Sequence, residues 1–319
     1  MSNFAPVLVT GFNRPDFLNL QIERLVKLNC KIYVSLDVPK SDDLFNQEFS
    51  RNCIEVVDAF RDKLHDVRIS ETNLGCDLGI TTAISWAFEK ESALIILEDD
   101  VRTEQGFLEY ATLALHNFRD NEDIGSIAGC NFAPTEYLTD PASPFRLSAF
   151  SNSWGWATWR NRWDDYLEDR DSFPNFTFNF PDNFWSFSNR SYWRDIFKQT
   201  ETGDFDAWDF KWLYSNWRRK RLTLTSNKNL VLNIGFDSRA THTTNSIIPS
   251  WLPLEFEQFD GTLEPKTIPK RDVLADNWVL KNHFKATLRF QLINRLARKY
   301  PRLSKFYKKI QLYFGAEVR

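Results

Sequence analysis

The sequence contains few of the residues that bind structural metals or form disulfide frameworks: its 319 residues include four cysteines and four histidines. Cys30, Cys53, Cys76 and Cys130 are widely separated and form no Cys-x-x-Cys pair. This pattern argues against a structural zinc site and against a disulfide-rich secreted scaffold. We therefore expect a protein that folds in a reducing compartment.

Long apolar runs and common phosphate-binding loops are also missing. The most apolar short stretch, Ala93 to Leu97, is far below the roughly 18 to 20 residues that span a bilayer. Met1 to Thr10 has no basic segment before its short apolar run, so we expect neither a transmembrane helix nor a secretory signal. No Gly-x-Gly-x-x-Gly follows the first predicted strand and no Walker loop occurs, which disfavours dinucleotide binding and P-loop hydrolysis.

Aromatic residues and an uneven charge distribution are what the chain does have. It contains 28 Phe, 12 Trp and 9 Tyr, and nine of the tryptophans fall between Trp154 and Trp217. These rings either fill a core or form a platform for a flat apolar ligand face. Residues 277 to 319 carry eleven Lys or Arg and one acid, or +10, so the net charge of −3 leaves −13 for the first 276 residues.

Strand-like and helix-like segments alternate through the first hundred residues, and one further helix and strand follow. Short apolar or β-branched runs predict strands at 6–10, 31–36, 67–69, 93–97 and 126–129. Apolar residues at helical spacing predict helices at 16–28, 49–64, 77–90 and 104–118, the last capped by Thr103. This order predicts an α/β fold with a mostly parallel sheet flanked by helices.

The pattern changes after the fifth predicted strand. Residues 131 to 189 are rich in aromatic residues and punctuated by Pro and Asn, which predicts loops and short helices of a second lobe. Prolines mark an irregular connector at 249–269, and 276–314 is predicted to be a basic helix. We divide the chain into 1–130, 131–250, and a linker with a basic helical tail at 251–319.

Three consecutive carboxylates, Glu98, Asp99 and Asp100, directly follow the most apolar strand. Ligands of open α/β sheets bind at the carboxyl ends of the strands. Adjacent carboxylates repel one another, and a shared Mg²⁺ or Mn²⁺, which prefers hard oxygen ligands, relieves that repulsion. The alternative is a solvated acidic turn, and the position after a buried strand favours the metal site.

Two further residues lie at the same predicted sheet edge. Asp37 follows the second strand and is placed to accept hydrogen bonds from a base or a ribose, although an Asp before Pro39 also suits a simple turn. Arg14, at the first strand–helix junction, is placed to meet a phosphate or a base, or is an ordinary surface arginine.

A second set of candidates lies near residues 206 to 242. An Asp beside Trp208 is a candidate general base, because apolar surroundings raise a carboxyl pKa towards the working range. Asp206 and Asp209 both qualify, and both also suit the first turn of a helix. His242, in a Thr-rich stretch, is either a metal ligand or phosphate contact, or a structural histidine.

Four segments, taken in order, resemble the nucleotide-binding half of GT-A glycosyltransferases: Thr10-Gly-Phe-Asn-Arg-Pro, Ser35-Leu-Asp37, Asn73-Leu-Gly and Ile95-Ile-Leu-Glu-Asp-Asp100. They most resemble the N-acetylglucosaminyltransferase I family, which has Glu-Asp-Asp in place of Asp-x-Asp, and bacterial relatives of family 2 type. Ser153 to Arg160 and the Trp-Asp209 block resemble the acceptor half. The resemblance covers roughly residues 6 to 243.

The resemblance implies roles for individual residues. Asp100 would contact a Mn²⁺ or Mg²⁺ ion, and His242 would be a second ligand, although Ala-Thr-His-Thr departs from the family's Gly-x-Ser-His. Asp209 would be the catalytic base. The residues that would hold the nucleotide-sugar are Thr10, Gly11, Asn13, Arg14, Asp37, Asn73, Glu98 and Asp99.

The implied activity is transfer of a sugar, with inversion, from a nucleotide-sugar (UDP by analogy) to a hydroxyl of a glycan or lipid-linked oligosaccharide in bacterial surface polysaccharide synthesis. A retaining transferase and a non-catalytic carbohydrate- or nucleotide-binding module are the alternatives. The chain begins at the first strand, without the membrane anchor of eukaryotic members, so we expect a cytoplasmic enzyme. Residues 281 to 313 carry ten basic residues and no acid, which suits either an anionic membrane surface on the inner face of the plasma membrane or packing on the acidic body. No nucleic-acid partner is expected from the acidic body.

Overall fold

The computed structural model describes residues 4–171, 187–203, 208–236, 252–259, 261, 263 and 270–287. The strands are β1 Val7–Gly11, β2 Ile32–Leu36, β3 Asp66–Ile69, β4 Ala93–Glu98, β5 Val101–Thr103, β6 Ile124–Ala128, β7 Phe145–Ser148, β8 Trp156–Trp159, β9 Leu222–Ser226 and β10 Val231–Asn233. The helices are α1 Pro15–Lys27, α2 Leu44–Ala59, α3 Gly75–Phe88, α4 Gln105–Asn117, α5 Arg160–Asp171, α6 Phe187–Glu201, α7 Trp208–Arg218 and α8 Val273–Asn282.

Eight of these strands form one sheet in the order β3-β2-β1-β4-β8-β6-β9-β7. The pairs β1–β2, β2–β3, β1–β4 and β6–β9 are parallel, and β8 runs antiparallel to both of its neighbours. The predicted α/β class, with a mainly parallel sheet flanked by helices, is confirmed. β5 and β10 form a separate antiparallel pair.

The first half of the sheet is buried because its strands and helices are apolar where they meet. β1 and β4 are buried along nearly their whole length, as expected for parallel strands covered on both faces. α1 packs against the sheet through Leu18, Ile22 and Leu25, which lie on one helical face and are fully buried. Burial of each such side chain contributes about 1.5–3 kcal/mol to the stability of the fold. This packing holds β1 and β4 in place, so the residues that follow them lie at defined positions on the sheet edge.

The prediction for residues 131 to 189 is corrected in the described part of that range. It contains two strands, β7 and β8, and the twelve-residue helix α5, in addition to loops. β8 pairs antiparallel with β4, Ala93 lying opposite Trp159, and so enters the sheet between β4 and β6. Its short sequence Trp-Ala-Thr-Trp has no period long enough to distinguish a strand from an aromatic loop.

Three helix boundaries also differ from the prediction. Thr103 lies in β5 and does not cap α4, whose N-cap residue, Glu104, makes no side-chain capping bond. α2 begins at Leu44, earlier than predicted, because the side chain of Asp43 accepts a hydrogen bond from the backbone N–H of Asn46 at 3.2 Å. α8 begins after the capping Asp272 and ends at Asn282.

Residues 288–313 of the basic stretch 281–313 lie outside the described residues. A helix in that part of the stretch and a role at a membrane therefore stay predictions. Within the residues that the structure describes, no helix has both the length and the apolar character needed to cross a bilayer.

Most of the described tryptophans belong to the core. Trp156 of β8, Trp163 of α5, and Trp208 and Trp212 of α7 form a buried cluster that also includes apolar residues of α3. Trp208 stacks on Trp156 with ring centroids 5.3 Å apart. Of the two interpretations of the aromatic stretch, core packing is therefore correct for these four residues, and the stack fixes the beginning of α7 against β8.

Candidate active site

The carboxyl ends of β1, β2 and β4 meet at one edge of the sheet. Thr10 of β1 lies opposite Glu98 of β4, and Gly11 lies opposite Leu36 of β2. The hydroxyl of Thr10 donates to the carbonyl of Leu97 at 3.5 Å. Because these strands are parallel, the segments that follow them, including the predicted site residues, are brought to the same edge.

Arg14 connects the two aspartates of the acidic triplet. Its Nη1 donates to Asp100 Oδ2 at 2.8 Å and to Asp99 Oδ1 at 3.2 Å. The backbone N–H of Phe12 donates to the other oxygen of Asp99 at 3.3 Å. All three charged side chains are nearly buried, and their relative exposure is at most 12%. The β1–α1 junction thus supplies the positive groups that neutralise the aspartates after β4.

A glycine that the sequence analysis did not assign lies against Asp100. The antiparallel pairing of β10 with β5 brings residues 233–235 over the triplet, and the N–H of Ile234 donates to the carbonyl of Asp100 at 2.9 Å. A Cβ atom added to Gly235 would lie 2.0 Å from Asp100 Oδ2. Only glycine leaves room for this carboxylate. The signal in the sequence was a lone Gly after a short strand, which by itself does not identify its neighbour.

Glu98 and Asp99 have raised pKa values and hold protons more tightly than isolated carboxyls do. The pKa of Glu98 is raised well above its usual value by removal from water and by the nearby charges of Asp100, Asp99 and Asp209. The pKa of Asp99 is raised to about 7, first by burial and then by Asp100, although Arg14 and the Phe12 N–H oppose the shift. The site is therefore short of positive charge even with Arg14 in place.

This shift predicts a pH dependence of stability. Because the folded-state pKa of Asp99 is higher than its ordinary 3.8, the folded protein binds a proton that the unfolded chain releases. Its contribution to stability is complete below the unfolded pKa and is lost as pH rises through about 7. From this group we expect metal-free protein to be more stable at pH 6 than at pH 8, by about 1 kcal/mol.

Urea denaturation of the wild type and of Asp99→Asn at the two pH values checks this expectation, since the substitution removes the titrating group. The control is Asp164→Asn, at an exposed position on α5, which should leave the difference in stability between pH 6 and pH 8 unchanged. An equal pH dependence in the wild type and in Asp99→Asn contradicts the assignment.

Asp37 is held by the backbone that begins α3. Its carboxylate accepts hydrogen bonds from the N–H groups of Leu74 and Gly75 at 3.1 Å and from the side-chain amide of Asn73 at 3.3 Å. Asn73 also donates to the carbonyl of Val38 at 2.7 Å. Asp37 and Asn73, predicted to hold a nucleotide, are therefore in direct contact and shape one loop of the edge. Their contact with a base or ribose stays a prediction.

Asn13 is the remaining predicted residue of the first junction. Its side-chain amide donates to Asn46 Oδ1 at 2.8 Å, and Asn46 is in turn held by the capping Asp43. This contact connects the β1–α1 junction to the beginning of α2. Asn46 was not predicted as part of the site, because it lies 33 residues along the chain from its partner, Asn13.

Asp209 lies in the first turn of α7. Its Oδ1 accepts from the backbone N–H of Phe210 at 3.0 Å, and its charge contributes to the raised pKa of Glu98. α7 is fixed by an ion pair from Lys211 to Asp77 of α3 and by a 2.8 Å hydrogen bond from Ser215 to Asp169 of α5. The candidate base and the triplet are therefore brought together by packing of the two halves of the chain.

Asp209 also lines a small pocket with a cavity volume of about 50 Å³, well below the roughly 300–1,000 Å³ typical of ligand sites. Ser151 and Trp154 contribute one wall, and His283, just after α8, contributes another. The imidazole of His283 stacks on Phe132 with centroids 4.5 Å apart. His283 was not predicted as a site residue, because it lies far along the chain in the segment interpreted as a basic tail.

The two aspartates fit a divalent cation. Their oxygens converge on one positive atom, Arg14 Nη1, and a Mg²⁺ or Mn²⁺ site is commonly completed by substrate phosphates and water. Among the described residues, no group of three or more His, Cys, Asp and Glu side chains converges as a complete ligand set. His242, the predicted second ligand, and Asp206, the alternative base, lie outside the described residues.

No protein-family model and no curated protein matches the chain. Among solved structures, residues 1–349 of S. aureus TarS have 13% identity and a TM-score of 0.40, covering 70% of this chain and 58% of that one. GalNAc-T7, crystallised with UDP, GalNAc and Mn²⁺, has 10% identity and a TM-score of 0.40, and the match covers 70% of this chain and 42% of that one. The chain therefore spans about half the length of these two proteins. A third similar structure is 4-diphosphocytidyl-2C-methyl-D-erythritol synthase from Anaerococcus prevotii, with 10% identity and a TM-score of 0.32, covering 69% of this chain and 100% of that one.

Proposed function

We propose that the protein is a metal-dependent glycosyltransferase of the GT-A class that transfers a sugar from a nucleotide-sugar to a hydroxyl group. One observation carries the proposal: Arg14, Asp99 and Asp100 converge at the carboxyl ends of β1 and β4, beside Glu98, whose pKa is also raised by the carboxylate of Asp209 on α7. A cation-binding pair of acids next to a base is what displacement of a diphosphate by a hydroxyl requires.

The residues of the chain have separate tasks in this proposal. Asp99 and Asp100 would hold the cation, which when bound supplies Lewis-acid stabilisation of the leaving diphosphate. Arg14 would pair with a phosphate, because its guanidinium fork matches phosphate oxygens. Asp209 would accept the proton of the attacking hydroxyl. Glu98, with its raised pKa, would donate a hydrogen bond to the donor sugar.

The side chains that line the small pocket beside Asp209 suit one edge of an acceptor sugar. Trp154 and Phe210 offer apolar faces suited to the C–H face of a sugar ring, and Ser151, Asn152 and His283 offer polar groups for its hydroxyls. A hydroxyl bound there lies next to the carboxylate that would deprotonate it. Direct attack from this pocket gives inversion at the anomeric carbon.

The finer assignments follow from the resemblance. We propose a UDP-hexose or UDP-N-acetylhexosamine donor, a glycan or lipid-linked glycan acceptor, and a place in bacterial surface polysaccharide synthesis. The basic stretch 281–313 would bring the site to an anionic membrane surface on the cytoplasmic face. Retention of configuration and ligand binding without turnover are the alternatives.

A donor screen tests the proposal. A ligand that binds only the folded protein at 100 times its dissociation constant stabilises it by about 2.7 kcal/mol, or about 5 °C for a chain of this size. We expect one or more UDP-sugars to raise the melting temperature only when Mn²⁺ is present. Transfer to an acceptor, followed by NMR of the product anomer, then distinguishes the alternatives.

Binding of a donor without any transfer would favour the binding module, and preserved anomeric configuration would favour retention. No stabilisation by any nucleotide-sugar, with or without Mn²⁺, contradicts the proposal.

A further inference from the structure

We propose that Arg14 occupies the position of the divalent cation between Asp99 and Asp100, and that a nucleoside diphosphate must draw Arg14 away before the cation binds. This inference rests on the proposed function and adds an order of events to it. It makes Arg14 a competitor of the cation in the free protein and a phosphate ligand in the complex.

The contacts of Arg14 place one positive atom at the centre of the aspartate pair. Nη1 lies 2.8 Å from Asp100 Oδ2 and 3.2 Å from Asp99 Oδ1, and Nη2 lies 3.5 Å from the carbonyl of Gly235. Mg²⁺ binds carboxylate oxygens at about 2.0–2.1 Å. A cation bound by the same two oxygens on the side that Nη1 occupies would come closer to Nη1 than two positive charges can, so the guanidinium and the cation exclude each other there.

Neighbouring groups prevent the two charges from simply sharing the site. Gly235 lies so close to Asp100 that an added Cβ would be 2.0 Å from Oδ2, so this face of the carboxylate is closed. The Phe12 N–H occupies the second oxygen of Asp99. Asp99 Oδ1 and Asp100 Oδ2, the two oxygens that Arg14 contacts, are therefore the pair for which a cation would have to compete with Arg14.

The electrostatics favour replacement of one cation by another over loss of both. Arg14 lowers the free energy of two buried carboxylates, and a buried charge left without its partner is strongly destabilising. Without Arg14, the aspartates would bind a proton or a metal ion more tightly than they do now. The free protein is therefore predicted to bind divalent cations weakly, and to bind them better when Arg14 is removed.

A diphosphate is the anion suited to move Arg14. Arg14 is the N-cap residue of α1, whose positive helix end favours an anion, although Pro15 offers no N–H and Asp16 already lies in the first turn. Phosphate oxygens accept both arms of a guanidinium, so the carboxylate contacts are exchanged for phosphate contacts. Cation and nucleotide then increase each other's affinity by the same factor, because coupling between binding sites is reciprocal.

Mn²⁺ titration followed by the electron paramagnetic resonance signal of free Mn²⁺ tests this without measuring catalysis. In the absence of nucleotide, we expect Arg14→Gln to bind Mn²⁺ about tenfold more tightly than the wild type. UDP, GDP and CDP at millimolar concentration serve as probes. The best of them should raise wild-type affinity for Mn²⁺ about tenfold and should raise that of Arg14→Gln much less.

Three further variants separate the local effect from net charge and from damage to the fold. Arg24→Gln removes the same charge from α1, where Arg24 pairs with Glu104, and should leave Mn²⁺ binding as in the wild type. Arg14→Lys keeps a single positive charge without the fork and should give an intermediate affinity, and it replaces Arg14→Gln if that variant fails to fold. Adding Asp100→Asn to Arg14→Gln should abolish the gain.

The outcomes distinguish this inference from the proposed function. Equal or weaker Mn²⁺ binding by the Arg14 variants without nucleotide overturns the competition, even if the wild type binds Mn²⁺ well with UDP. An absence of Mn²⁺ binding by every variant under every condition overturns both the competition and the metal-dependent reaction. Tighter binding by Arg14→Gln, with no gain in Arg24→Gln, supports the inference.

Discussion

Replacing Asp209 by asparagine is expected to lower kcat for sugar transfer by about 10²–10⁴-fold, the usual effect of losing a general base. Asparagine keeps the size of the side chain and can still accept the hydrogen bond from the Phe210 N–H, but it cannot take a proton. Donor affinity should change little, because the proposed donor contacts come from the ends of β1 and β4. A transfer assay and donor-induced thermal stabilisation measure the two quantities separately.

Asp164→Asn is the matched control, since it removes an exposed carboxylate from the neighbouring helix α5 and should leave kcat unchanged. If Asp209→Asn transfers sugar at the wild-type rate, Asp209 is not the base, and Asp206 becomes the first candidate. If Asp209→Asn loses donor binding as well, the role is structural, and the packing of α7 rather than its carboxylate explains the loss.

The second large loss of activity is expected for Asp100→Asn. This change removes one of the two carboxylate charges that converge on Arg14 Nη1 and that are proposed to hold the cation. We expect kcat/KM to fall by about 10²–10³-fold, comparable with the loss of one preorganised electrostatic contact in other active sites. Mn²⁺ affinity in the presence of UDP should fall in parallel, since the same carboxylate is responsible for both.

Glu104→Gln provides the comparison for Asp100→Asn. Glu104 also pairs with an arginine, Arg24, but its side chain is half exposed and lies outside the triplet. Its removal should change neither turnover nor Mn²⁺ binding. Wild-type kcat/KM for Asp100→Asn would exclude this residue from the reaction and with it the proposed cation site.

The positions of the first four strands of the sheet could be predicted from sequence because each is a short apolar run between helices. β1 and β4 are buried on both faces, so their composition alone distinguishes them from the helices around them. Parallel pairing then places the residues after them at a common edge. For the same reason Arg14, Asp99 and Asp100 could be expected near one another before any contact was known.

What could not be predicted depends on contacts between distant segments. β8 enters the sheet from residues 156–159, and nothing in Trp-Ala-Thr-Trp specifies β4 as its partner. Gly235 reaches Asp100 through the pairing of β10 with β5, two three-residue strands more than 125 positions apart. The direct capping of α3 by Asp37 was missed because an Asp after a strand suits a turn, a ligand and a helix cap equally well.

The insertion of β8 has a consequence for solubility. β4 reads Ala-Leu-Ile-Ile-Leu-Glu, and the backbone on one side of this strand finds its hydrogen-bonding partners only in β8. A fragment that stopped before residue 156 would present that side as a bare, strongly apolar edge, the kind that recruits other chains into intermolecular sheets. The later part of the chain thus protects the strand that carries the acidic triplet from aggregation.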